Sequence, residues 1–196
     1  DVSLQVKTIK SVPLTIPFKG KLLVAGECMM TNSAFEEFNK TAEIPLKNPR
    51  NGVAGAVRNL DPKETEKRRL DYFCYDILLS ENKTFNSQQE MHNFIVEQGL
   101  KTDNYFKIIN SLDEAIKEIE NIDKVKDNLD TMIDGMVIKV NDCSVREEIG
   151  YTNKFPKWAM AWKFKAVELS TTLLDVLWQV GRTGKITPIA LLEPIE

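Results

Sequence analysis

Three observations predict an α+β fold for this 196-residue sequence. Strand-like and helix-like segments follow one another without regular alternation, which argues against a doubly wound parallel sheet. Helix starts carry capping signals such as Ser87-x-x-Glu90 and Ser111-x-x-Glu114. Apolar residues, 42% of the total, run through the whole length, and a chain of this size buries about two-thirds of its unfolded surface. Disordered, collagen-like, coiled-coil and low-complexity readings are excluded on that composition. No apolar run approaches the roughly 20 residues that cross a bilayer, and the N-terminal DVSLQVKTIK lacks the cationic-then-apolar order of a signal peptide. A soluble, cytoplasmic protein is therefore expected. The chain starts at Asp1 without Met and stops just after a strand-like run, so both ends read as cut.

Lys21–Met30 (KLLVAGECMM) reads as a buried strand, and Ser33-x-x-Glu36 as the capping box of a short helix through Phe35 and Phe38. Pro and Asn in Asn48-Pro49-Arg50-Asn51 punctuate the chain before a small-residue helix, Gly52–Leu60. Asp61-Pro62 is an N-cap followed by Pro at the first helical position. Leu70–Leu79 (LDYFCYDILL) is aromatic and β-branched enough for a strand. The boxes at Ser87 and Ser111 open helices with Met91, Phe94 and Ile95, then Leu112, Ala115, Ile116, Ile119 and Ile122, at helical spacing. Gly99 stands where a helix C-terminus favours glycine. Next come a strand Met132–Val140, a short helix around Glu147, a strand Ala159–Lys165, and strands flanking residues 180–184.

Cys28, Cys74 and Cys143 are odd in number and widely spaced, as expected of buried free thiols. The lone His92 reads as a surface residue of its helix. Charge is uneven: Lys47–Arg69 holds seven basic and three acidic residues, whereas Asp113–Asp134 holds eight acidic residues and three lysines. A weakly acidic protein with such a basic stretch still attracts a polyanion locally. Glu27, Asp134, Lys139 and Lys163 fall in strand-like runs between hydrophobic neighbours, where a charge either faces water or converges on a polar ligand. Asp134 and Lys139, five apart, face opposite sides of a regular strand unless Gly135 bends it. Two lysines, two carboxylates and two arginines, with an aromatic such as Tyr75, suit a nucleotide: cations for phosphate, carboxylate for ribose, ring for base.

Five strings go beyond such a pattern: Ala25-Gly26-Glu27; Asn48-Pro49-Arg50-Asn51-x-x-Ala54-Gly55-x-x-Arg58-x-Leu60-Asp61-Pro62; Ile133-Asp134-Gly135-x-Val137-Ile138-Lys139-Val140-Asn141; Pro156-x-Trp158-Ala159-x-Ala161-x-Lys163-Phe164; and Gln179-Val180-Gly181-Arg182-Thr183-Gly184-x-Ile186-Thr187-Pro188. In order and spacing they closely resemble the bacterial NAD-dependent DNA ligases, over essentially the whole chain. The resemblance implies an ATP-grasp-like nucleotidyltransferase domain over residues 1–169, built of antiparallel sheets with flanking helices, and the first strands of an OB fold over 170–196. It implies nick sealing through lysyl-AMP and DNA-adenylate, with NAD and Mg²⁺ as cofactors and nicked duplex DNA as partner of a monomer. Glu27 would bind the AMP ribose, Tyr75 would stack on adenine, and Lys163 would meet the α-phosphate. Lys139 would line the adenine or phosphate side, and Asp134 would support the nucleophile or a Mg²⁺. Arg50 and Arg58 would contact nick phosphates, and Arg182, Thr183 and Ile186 the DNA backbone or minor groove.

The nucleophilic Lys-x-Asp-Gly string of the family does not occur in the 196 residues; Lys101-Thr102-Asp103-Asn104 lacks the Gly and falls after the Asn-Pro-Arg-Asn string. The resemblance therefore implies a fragment that does not self-adenylate alone. Zinc belongs to family regions not present here, since three scattered cysteines and His92 cannot assemble a site. Ala25, Lys126 and Lys157 stand where arginine is usual, and Lys165 where Pro is usual. Ala25 removes a cation, whereas Lys keeps charge but loses bidentate geometry. Two other readings stay open: a non-catalytic nucleotide- or nick-binding paralogue, and an ATP-dependent ligase or capping enzyme. The Asn-Pro-Arg-Asn and Val-Gly-Arg-Thr-Gly strings argue against the last.

Overall fold

A computed structural model describes residues 1–103, 105–165 and 168–195. Asn104, the last position of the near-match at Lys101, lies outside the described residues, as do Ala166, Val167 and Glu196. The chain divides into two compact units, Asp1–Lys163 and Phe164–Glu196.

In the first unit a short helix α1 (Ser3–Val6) precedes strand β1 (Leu22–Met29), then α2 (Asn32–Thr41), α3 (Pro49–Val57), α4 (Pro62–Lys67) and strand β2 (Asp71–Ser80). There follow α5 (Gln88–Glu97), α6 (Leu112–Val125), a 3₁₀ turn (Lys126–Asn128), β3 (Gly135–Lys139), α7 (Cys143–Ile149) and β4 (Ala159–Lys163). The second unit contains β5 (Leu173–Val180) and β6 (Ile186–Leu192). Each strand pairs antiparallel with one other, β1 with β2, β3 with β4 and β5 with β6. The mixed α and β architecture with small antiparallel sheets agrees with the sequence reading.

Among the described residues, two clusters of buried side chains pack the helices of the first unit against its β1–β2 strands. Ile9, Met30, Ala56 and Leu70 are buried with Phe35, Phe38, Val53 and Tyr72 packed against them, seating α2 and α3 on the end of β1. Cys74, Ile77, Phe94 and Ile95 form the other, where α5 covers β2. Phe94 meets Phe18 edge-on at 5.4 Å and Phe85 at 5.2 Å between ring centroids, a geometry that aromatic quadrupoles favour.

Several boundaries differ from expectation, each for a local reason. Helix α2 begins at Asn32, because Thr31 and not Ser33 is its N-cap, accepting from the Ala34 N–H. Ser33 instead donates its N–H and hydroxyl to Asp130, 97 residues away, so a distant carboxylate serves the helix start. Helix α3 begins at Pro49 rather than Gly52: Asn48 caps it, and Pro is favoured in a first turn. Strand β3 starts at Gly135, not Met132, which leaves Asp134 just outside the strand, and β4 ends at Lys163 rather than Lys165. Ser87 and Ser111 cap α5 and α6 as read, and Gly99 takes φ +75°. His92 is not a free surface residue: its ring stacks on Phe106 at 4.1 Å. Of the three free thiols only Cys74 is fully buried, Cys28 and Cys143 being half-buried.

Candidate functional site

The β1–β2 pair carries a bulge where the site begins. Ala25 pairs with Asp76 and Gly26 with Cys74, so Tyr75 is the extra residue on β2. A bulge re-aims its side chain out of the regular alternation, and Tyr75 stands half exposed. Glu27, exposed on β1, pairs with Phe73. Glycine is required between them on β1, since a Cβ at Gly26 would lie 2.5 Å from the Phe73 carbonyl oxygen and 2.6 Å from Cζ of Tyr72.

The β3–β4 ribbon carries both lysines. Gly135 pairs with Lys163 and Lys139 with Ala159. Directly paired residues share a face, as do residues two and four apart on one strand, so Lys139 and Lys163 emerge on the same face. Four residues of strand separate their positions by about 13 Å, with Val137 and Ala161 paired between them. At one end Lys139 donates to the Tyr75 carbonyl at 3.1 Å, pairs with Asp76 at 3.0 Å and lies 5.3 Å from the Tyr75 ring centroid. At the other end Lys163 pairs with Asp134 at 3.0 Å, both side chains being about three-quarters exposed. A Cβ at Gly135 would lie 2.3 Å from the Trp162 carbonyl oxygen, so glycine permits the close strand approach beside this pair. The hydrogen bond from Lys163 holds the Asp134 carboxyl below its ordinary range, with Arg50 adding a weaker pull in the same direction.

The α3 helix presents its arginines outward. Gly52 and Ala56 are buried, with a Cβ at Gly52 coming within 2.9 Å of Met30 Sδ and Leu46 Cδ1. The buried Thr65 hydroxyl donates to the Ala56 carbonyl at 2.9 Å, and Arg68 donates to that of Gly52 at 3.2 Å. Arg50, Ala54, Gly55 and Arg58 are exposed, and among the described residues neither arginine is in an ion pair. In the second unit Val180 pairs with Ile186 around a five-residue loop, closed by Gly181 N–H to Lys185 O at 2.8 Å, with Gly184 at φ +80°. Arg182 and Thr183 form its tip and Ile186 opens the return strand.

Three other candidate nucleophiles are held back by burial or pairing. Burial raises the Cys28 thiol to about 11, reinforced by Asp71 and Glu27, and burial raises Cys74 to about 11. Lys101 is tied to Asp71 at 2.7 Å. No group of three or more His, Cys, Asp or Glu able to hold a metal occurs among the described residues, and no helix among them is long and apolar enough to cross a membrane. The sequence reading overlooked Asp76, the acidic residue next to Tyr75 in a strand interior. It also overlooked Gln88 and Arg146, whose helical positions resemble solvated ones but are buried.

A family model for the NAD-dependent DNA ligase adenylation domain matches residues 1–167. The chain is 54% identical over all 196 residues to proteins named DNA ligase from Clostridium botulinum strains 657 and Hall, covering 30% of each. It is 52% identical over its whole length to DNA ligase 2 of Clostridium acetobutylicum, covering 29% of it. The chain thus spans about 30% of the length of these curated relatives. On a match over most of its length, the chain belongs to the NAD-dependent DNA ligase adenylation-domain family.

Proposed function

We propose that this chain is the part of a nick-sealing, NAD-dependent DNA ligase that receives the adenylate and grips the DNA beside it. The observation that carries this reading is the shared face of the β3–β4 ribbon, with Lys139 beside Tyr75 at one end and Lys163 beside Asp134 at the other. NAD, when bound, supplies the adenylyl group: a lysine attacks its α-phosphorus with loss of nicotinamide mononucleotide, AMP passes to the nick 5′-phosphate, and the 3′-hydroxyl displaces it.

The bulged Tyr75 stacks on the adenine, Glu27 accepts from the ribose hydroxyls, and Lys139 lines the adenine end. Lys163 leaves Asp134 for the α-phosphate, where it neutralises charge that grows in transfer. Asp134 fits Mg²⁺ as one carboxylate, since that ion takes one or two protein carboxylates together with substrate phosphates. Arg50 and Arg58 hold phosphates near the nick, and Arg182, Thr183 and Ile186 touch the DNA backbone or minor groove from an OB-fold segment at 170–196, beyond an adenylation domain at 1–169. On this reading the protein works in the cytoplasm.

None of the 196 residues forms a Lys-x-Asp-Gly string, so the nucleophile comes from outside them. Incubation with NAD, with and without Mg²⁺, followed by intact mass measurement tests this. The full-length gene product should gain AMP and the 196-residue chain should not. Labelling of the chain alone would show that a lysine within it is the nucleophile. A full-length product that binds nicked DNA but never labels would favour a non-catalytic paralogue.

A further inference from the structure

A buried polar chain runs from the body of the first unit to the adenine end of the site, and the roles assigned above do not use it. Arg146 on α7 is 6% exposed, and a charge held out of water is costly without partners. Its partners are neutral. Nε donates to the Val140 carbonyl at 2.6 Å, Nη2 donates to Gln88 Oε1 at 2.8 Å, and the guanidinium lies 4.3 Å from the Trp158 ring centroid. Among the described residues no ion pair includes it.

Gln88, at the first position of α5 and 7% exposed, passes the chain on by donating Nε2 to the Tyr75 carbonyl at 3.1 Å. A guanidinium only donates and a carbonyl only accepts, so the two ends fix which way the Gln88 amide points. The same Tyr75 carbonyl accepts from Lys139 at 3.1 Å. Arg146 also reaches both strands of the lysine-bearing ribbon at its Lys139 end. Val140 follows Lys139, Trp158 precedes Ala159, and the Val140 N–H donates to the Trp158 carbonyl at 2.9 Å. Burying α5 against β2 needs none of this, since Phe94 and Ile95 do that work. Where both partners of a buried hydrogen bond are side chains, as in Arg146–Gln88, apolar replacement of both can be nearly neutral.

We propose that Arg146 and Gln88 are positioning residues of the nucleotide site. They fix the bulged Tyr75 carbonyl and so set where its ring and Lys139 Nζ stand when the nucleotide enters. The inference rests on the reading of Tyr75 and Lys139 as the adenine side.

The test is Gln88→Glu in the full-length gene product. A carboxylate at this position still accepts from Arg146, as a stronger charge-assisted bond, but it sets an oxygen instead of an N–H against the Tyr75 carbonyl. Melting temperature should hold or rise, while NAD binding by calorimetry weakens roughly 10- to 100-fold, the scale of small misplacements in a site. The double variant Gln88→Met/Arg146→Met removes the chain entirely and guards against a single variant that fails to fold. It leaves the Val140 carbonyl without its side-chain donor, so it should stay folded but melt somewhat below wild type, and it should bind NAD as weakly as Gln88→Glu. Wild-type NAD affinity in either folded variant overturns the proposal. A wild-type protein that binds no NAD refutes the underlying reading of the pocket, and the proposal with it.

Discussion

Replacing Arg50 and Arg58 together by glutamine removes two cations from the exposed side of α3 while leaving the buried side, Gly52 and Ala56, untouched. Neither arginine has an ion-pair partner among the described residues, so the fold loses no salt bridge, and the stability change should stay within about 0.5 kcal/mol, as for ordinary surface positions. Binding to nicked DNA is another matter. Each neutralised phosphate contributes about 0.9 to the slope of log K against log salt, so losing two lowers the slope by about 1.8. Between 50 and 200 mM salt, a fourfold change, the variant's affinity should therefore fall about 12-fold less than that of wild type. Fluorescence anisotropy of a labelled nicked duplex, titrated at four or five salt concentrations with the full-length gene product, measures both slopes. Equal slopes would refute the assignment of these two side chains to DNA phosphates, even if affinity at a single salt concentration had dropped.

Three other outcomes follow from the geometry. Lys163→Ala in the full-length gene product should slow self-adenylation by about 10²-fold, the scale of losing one charge-stabilising group; near-normal single-turnover rates would remove its assigned role. Gly26→Ala should destabilise the fold by about 1–3 kcal/mol, as overpacking does, because the new Cβ meets the Phe73 carbonyl oxygen at 2.5 Å; an unchanged denaturant midpoint would contradict the close packing of Tyr72 over β1. The Asp130 carboxyl is held below its ordinary 3.8 by hydrogen bonds from the Ser33 hydroxyl and N–H. A depressed folded pKa gives stability that is present above the unfolded value and lost as pH falls through the folded one. Asp130→Asn should therefore flatten the stability profile between about pH 5 and 2, and parallel profiles would count against the long-range cap.

Much of the fold was legible because its signals are local. Capping serines at 87 and 111, Asp61-Pro62, and the aromatic, β-branched run at 70–79 each announce an element within a few residues. What the sequence left hidden depends on distant partners. Ser33 resembles a cap but serves Asp130 across 97 positions. The helix at Asn48 begins earlier than its small-residue run suggests, because Asn48 itself caps it. For the site, Lys139 and Lys163 were readable as charges out of place, yet their common face follows only from the β3–β4 register. The Tyr75 bulge needs the β1 partner to appear, since one strand alone does not show which residue is extra. Arg146, in a short helix with two glutamates after it, carries every mark of a solvated charge, and burial is visible only once Gln88, Val140 and Trp158 surround it.

The most direct test of the central claim, that the β1–β2 bulge and the β3–β4 ribbon together hold the adenylate, is a crystal structure of the full-length gene product after reaction with NAD. The adenine should stack on the Tyr75 ring with Glu27 at the ribose, and Lys163 should have left Asp134 to meet the α-phosphate. A nucleotide bound elsewhere, or a phosphate out of reach of a Lys163 still paired to Asp134, would contradict the account.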